Sequence, residues 1–109
     1  MREVKRWYDH NDKVYILITH LQRSPLEKQL FVCKTIIKMC REENIHVKNV
    51  TLYVRQLRRR WYDYDETVCL AMEHLKIAPS DLQAKIASKI LYNMKKIDEF
   101  LEKTILENQ

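Results

Sequence analysis

The chain has 109 residues, enough for one domain with a modest core, and contains no glycine. Phosphate-cradling loops, dinucleotide fingerprints and nucleophile elbows place glycine where the backbone takes a positive φ or meets a ligand closely, so none is present in its usual form. The formal charge of +5 is unevenly distributed: residues 51–60 hold four arginines and no acid, whereas residues 61–109 hold nine acids against six lysines.

Met1, Arg2, Glu3 and Lys5 begin the chain without an apolar leader, and no apolar run approaches the roughly 18 residues that a membrane span requires. Cys33, Cys40 and Cys69 form an odd set with no CxxC pair, which fits a reducing, cytoplasmic compartment. Leucine, lysine, glutamate and isoleucine dominate the rest. Together with the missing glycines of tight hairpins, that composition predicts an all-α domain covering 1–109.

The first local signal is Arg6-Trp7-Tyr8-Asp9, which returns as Arg60-Trp61-Tyr62-Asp63. A shift of 54 positions also aligns Val14 with Val68, His20 with His74, Leu21 with Leu75, Pro25 with Pro79, Gln29 with Gln83 and Ile36 with Ile90. The chain therefore reads as an internal repeat, 6–44 and 60–98, joined by a bridge over 45–59. Each copy is expected to form a helical hairpin, and together they predict a four- to five-helix bundle.

Asp9 and Asp63 are the expected N-caps of the first helices, with Asp12 and Glu66 in the first turn. Val14, Leu17, Ile18 and Leu21 then trace one buried stripe, matched by Val68, Ala71, Met72 and Leu75. Ser24-Pro25-Leu26-Glu27 reads as a capping box for the second helix, and Ser80 takes the same part in the second copy. The second helices present Leu30, Cys33, Ile37 and Cys40, with Val32 and Ile36 on the flank, in one copy and Leu82, Ile86, Ile90 and Met94 in the other.

Between the copies, Ile45 to Val50 reads as loop or extended chain, followed by a bridging helix that carries Leu52, Tyr53, Leu57 and the arginine cluster. After the second copy the apolar spacing continues through Ile97, Leu101 and Ile105. Residues 80–106 are therefore expected as one helix of roughly 40 Å at 1.5 Å per residue. Such a helix outruns its hairpin partner, so its distal part must pack on the bridge, on the N-terminus or on another chain.

Candidate sites are few. Trp7, Tyr8, Trp61 and Tyr62 seal helix junctions or, in a functional reading, surround a ligand. His20 and His74 are equivalent, but two histidines without an HExxH or ExxH pattern do not make a metal site, and no metal or other cofactor is expected. The cysteines lie on apolar stripes, and no grouping of nucleophile and base stands out, so no catalytic residue and no enzymatic activity is expected.

The Arg-Trp-Tyr-Asp segments, each followed by an acidic first helical turn, resemble those of small, uncharacterised bacterial helical proteins. The resemblance is best over Arg60 to Leu91 and implies neither an activity nor site residues. Two functions follow from the residues themselves. The first is a non-enzymatic protein-interaction module, self-associating or partner-binding through Ile97, Phe100, Leu101 and Ile105. The alternative is nucleic-acid binding through Arg55, Arg58, Arg59 and Arg60, whose guanidinium groups match phosphate geometry.

Overall fold

The two copies exchange partners. In the computed structural model, which describes residues 6–107, each copy supplies two helices: α1 (Asp12–Gln22) and α2 (Leu26–Glu42), then α3 (Glu66–Ile77) and α4 (Ser80–Tyr92). A fifth helix, α5 (Met94–Glu107), completes an all-α globule with no strand among the described residues. The first five residues, on which the expectation of no leader rests, lie outside the described range.

Helices α1 and α3 begin 54 positions apart, as do α2 and α4. Packing follows the same equivalence: α1 lies chiefly against α4, and α2 against α3. Exchanging the copies maps one contact onto the other, which is the signature of a pseudo-twofold axis. The first-helix stripes are buried as their spacing predicts, from Val14 to Leu21 and from Val68 to Leu75. On α2 the flanking Val32 and Ile36 are fully buried beside Cys33 and Cys40.

Each first helix is preceded by a short 3-10 turn, Trp7–Asp9 or Trp61–Tyr64, and this turn moves the cap. The expected caps Asp9 and Asp63 instead reach back to the backbone N–H groups of Arg6 and Arg60, at 3.0 and 3.1 Å. Capping falls two residues later, where Asn11 accepts from the Val14 N–H at 3.1 Å and Asp65 from the Val68 N–H at 3.0 Å. The hairpin loops also depart from the expected boxes. Pro25 and Pro79 occupy the N-cap positions, and the Ser24 hydroxyl donates to the His20 carbonyl rather than to α2.

One glutamine closes each hairpin. Gln29 Nε2 donates to the Leu21 carbonyl at 2.7 Å and Gln83 Nε2 to the Leu75 carbonyl at 2.8 Å, so each adds a side-chain bond to a helix-end carbonyl that also accepts from the Ser24 or Ala78 N–H. Gln29 is buried and also accepts from the Tyr64 hydroxyl, which ties the first hairpin to the second copy.

Asn44 terminates α2 without glycine. It adopts a left-handed φ of 63°, while Ile45 N–H reaches the Cys40 carbonyl and Asn44 N–H the Arg41 carbonyl, both at 3.0 Å. These bonds form a Schellman motif, with asparagine the best available residue at its left-handed position. The chain then runs extended past His74, and Val47 N–H donates to His74 Nε2 at 3.2 Å. The same ring donates from Nδ1 to the Leu70 carbonyl at 2.8 Å, so the fully buried imidazole pins the bridge to α3 in its neutral form.

The bridging helix is shorter than expected. It ends in a π-helical turn, Tyr53–Leu57, and Arg58 leaves it with a left-handed φ of 43°. The expected 80–106 helix is interrupted at Asn93, whose side chain takes the Lys89 carbonyl. After the interruption α5 packs on α2 of its own chain. Phe31 and Phe100 stack at 5.5 Å, and Lys28 pairs with Asp98 at 2.6 Å.

Candidate functional site

The repeated tetrapeptides meet. Arg6, Trp7 and Tyr8 from one copy, Arg60, Trp61 and Tyr62 from the other, and Lys76 from the end of α3 line one cleft of about 470 Å³. That volume is of the size that holds a small molecule. Both tryptophans of the chain are in its wall. Each stands edge-on to the tyrosine that follows it, at 5.2 Å for Trp7 and 5.4 Å for Trp61, with interplanar angles of 87° and 89°.

Behind the aromatic wall, the two aspartates hold the two arginines. Arg6 donates from Nε and Nη2 to Asp9, and its guanidinium lies 4.7 Å from the centre of the Tyr8 ring. Arg60 is held more tightly. Its Nε and Nη2 bond Asp63, its Nη1 meets Glu73 at 2.6 Å, and its guanidinium lies between the rings of Tyr53 and Tyr62, 4.6 Å from each. Burial disfavours charge on both partners, yet these bonds raise the Arg60 pKa and hold Asp63 below the usual carboxylate range. Asp63 also accepts from the Cys69 thiol, which burial and this bond push up to about 12.

The indoles also differ between the copies. Trp7 Nε1 donates across the interface to the Tyr62 hydroxyl at 3.2 Å. The equivalent bond from Trp61 to Tyr8 is not made, and Trp61 Nε1 is a buried donor without a partner. Lys76 is exposed, makes no ion pair among the described residues, and stands where the first copy has Gln22.

The arginines of the cluster are not gathered on one helical face. Arg55 is exposed on the π-helical turn, Arg58 donates from Nε to the Val54 carbonyl at 2.6 Å, and Arg59 is exposed in the following extended segment. Arg60 faces inward on its two carboxylates, so it is set apart from the other three. Of the apolar candidates on α5, Ile97 packs against the core and Leu101 is half-buried. Phe100 and Ile105 flank the packed stripe and remain 55% and 44% exposed.

His20 and His74 are not brought into equivalent settings: His20 is exposed and His74 fully buried. Among the described residues no group of three histidine, cysteine or acidic side chains is placed to hold a metal. Burial pushes the Cys33 thiol up to about 12 and that of Cys40 up to about 11, so neither is a thiolate at neutral pH. Among the described residues no helix is long and apolar enough to cross a membrane.

Sequence reasoning missed Lys76 and Glu73. Glu73 carries no repeat signal, because Thr19 occupies its place in the first copy, and Lys76 was legible only as the one charged departure from Gln22. No family model matches the chain, and no curated protein or solved structure matches it significantly.

Proposed function

We propose that the protein is a non-enzymatic, cytoplasmic interaction module that pairs with a second copy of itself along α5. The observation that carries this reading is the order of charges on that helix. Its first turn holds Lys95 and Lys96 with no acid, and its last turn holds Glu107 with no base. Both ends thus oppose the helix dipole, which favours acids at the start and bases at the end.

An antiparallel mate relieves both conflicts. In a register centred on Leu101, Lys95 falls opposite Glu107 and Glu99 opposite Lys103, all of them exposed. Leu106, 63% exposed, supplies apolar contact beside these pairs, with Phe100 at their edge. The three buried free cysteines suit a reducing compartment.

Light scattering over a concentration series at low salt tests the pairing. The expected result is a dimer that dissociates as salt rises, because exposed ion pairs are screened within about 10 Å at 0.1 M salt. Lys95→Glu should give a folded monomer, and Lys95→Glu combined with Glu107→Lys should restore the dimer. A wild-type chain that stays monomeric throughout the series ends the self-association reading.

Nucleic-acid binding is the second reading, favoured by the exposure of Arg55, Arg58 and Arg59 without an ion pair among the described residues. It predicts binding to a duplex or single-stranded oligonucleotide that falls steeply with salt. Replacing those three arginines with alanine should abolish it. Arg60 belongs to the packing of the second copy, and its replacement should act on stability first.

A further inference from the structure

The geometry points to the cleft between the two Arg-Trp-Tyr segments as a binding site for a small aromatic carboxylate. Three features define the ligand class. The wall is aromatic on both sides, with the two tryptophan–tyrosine pairs set edge-on, so it offers flat ring surface to a flat apolar body. Among the described residues all charged groups that line it are cations, Arg6, Arg60 and Lys76, whereas Asp9 and Asp63 are buried behind it at 2% and 1% side-chain exposure. The carboxylates thereby fix the guanidinium planes without presenting negative charge to the cleft.

The third feature is an imbalance in hydrogen bonding. Buried donors are almost always paired, and the Trp61 indole N–H is not, although its counterpart on Trp7 is. The first copy ends its α1 helix with the neutral Gln22, and the second places Lys76 at the equivalent position on the cleft. The two halves of the pseudo-twofold site are therefore unequal, as an asymmetric ligand with a ring and a single anionic group requires. Lys76 is the only one of the three cations without a carboxylate partner among the described residues, so it is assigned the direct contact with the ligand anion.

The two tryptophans of the chain both lie in this wall, so their indole N–H resonances report on the cleft. Titration of the full chain with benzoate should shift both resonances saturably, that of Trp61 most. Benzamide, the neutral analogue, should bind about tenfold more weakly, the loss expected for one hydrogen bond to a charged group. Lys76→Gln, which installs the residue of the first copy at an exposed position, should keep the fold by circular dichroism and bring benzoate down to the level of benzamide. Inorganic phosphate should not compete at matching concentration. The assignment is overturned if the indole resonances stay fixed, if benzoate and benzamide bind equally, if Lys76→Gln binds benzoate like the wild type, or if phosphate competes as well as benzoate.

Discussion

Arg60 and His74 show how single side chains set the tolerance of this fold. The Arg60 guanidinium bridges two inward carboxylates, Asp63 and Glu73, and removing one partner from a buried ion pair leaves the others uncompensated. Arg60→Gln is expected to cost about 3 kcal/mol in urea unfolding. Arg6→Gln should cost less, because the Arg6 side chain is 50% exposed and, among the described residues, pairs with one carboxylate, Asp9. Equal costs would mean that Glu73 contributes nothing. His74 acts through pH. Burial, aided by the positive charges of Arg41 and His46 and opposed by the Leu70 bond, lowers its pKa from the ordinary 6.5. In the unfolded chain the imidazole takes up its proton near that ordinary value, while in the folded protein it resists protonation until lower pH. Its contribution to stability is therefore complete above about pH 6.5 and is lost as pH falls through the folded value. Protonation also removes the lone pair that accepts from Val47 N–H. His74→Gln keeps a donor and an acceptor but no titrating ring, so it should flatten the decline of the urea midpoint between about pH 6.5 and 5. A variant as acid-sensitive as the wild type would place the effect elsewhere. Asp63, whose pKa is depressed from 3.8, adds a separate loss below that value.

At the level of elements, the helices were legible wherever apolar spacing and a repeat agreed, and misread where a side chain redirected the backbone. The α1 and α3 stripes needed only period and register. The N-caps moved from Asp9 and Asp63 to Asn11 and Asp65 because each aspartate is drawn back by an arginine three residues before it, a competition that cap propensity alone does not contain. Asn93 interrupts a stripe whose spacing continues from Ile90 through Ile97. Periodicity reports which face is apolar, not whether the axis stays straight, and the landing place of α5 depends on Phe31 and Lys28 of α2, far away in the chain. The two hairpin glutamines allow a direct comparison. Gln29 is buried and bonded at both ends of its amide, whereas Gln83 spends its amide N–H groups on Leu75 and the more exposed Lys76 carbonyl. Gln29→Ala should lower stability by about 2 kcal/mol, against about 1 kcal/mol for Gln83→Ala, since it removes a buried bond and the link to the Tyr64 hydroxyl, whereas water can replace the more exposed bonds of Gln83. Denaturant midpoints for the two variants decide the order, and the reverse order would show that Gln29 is not the link between the copies.

The partnering of α1 with α4 and of α2 with α3 governs the molecule as a whole. The repeat announced two hairpins, but a hairpin read from sequence carries no statement about which helix is its main neighbour, and a twofold exchange is invisible to a pattern that treats both copies alike. The cleft was equally hidden, because it exists only where Arg6 to Tyr8 and Arg60 to Tyr62 converge. Within one copy, α1 and α2 touch sparingly, and each packs mainly across the axis, α1 on α4 and α2 on α3. Neither copy therefore encloses a core of its own. Fragments 1–54 and 55–109 are expected to show little helix separately, since isolated helices of such length are marginal in water without a packed face. Mixed in equal amounts, they should regain helical circular dichroism with a concentration-dependent midpoint, and the Trp7 indole N–H resonance should return when its bond to the Tyr62 hydroxyl forms across the fragments. If either fragment alone reaches its full share of the native signal, the copies are independent hairpins and the exchange of partners is not what stabilises them. If the signal appears only on mixing, the duplication stabilises the fold through contacts between the copies, and the cleft on their shared axis is formed only when both are present.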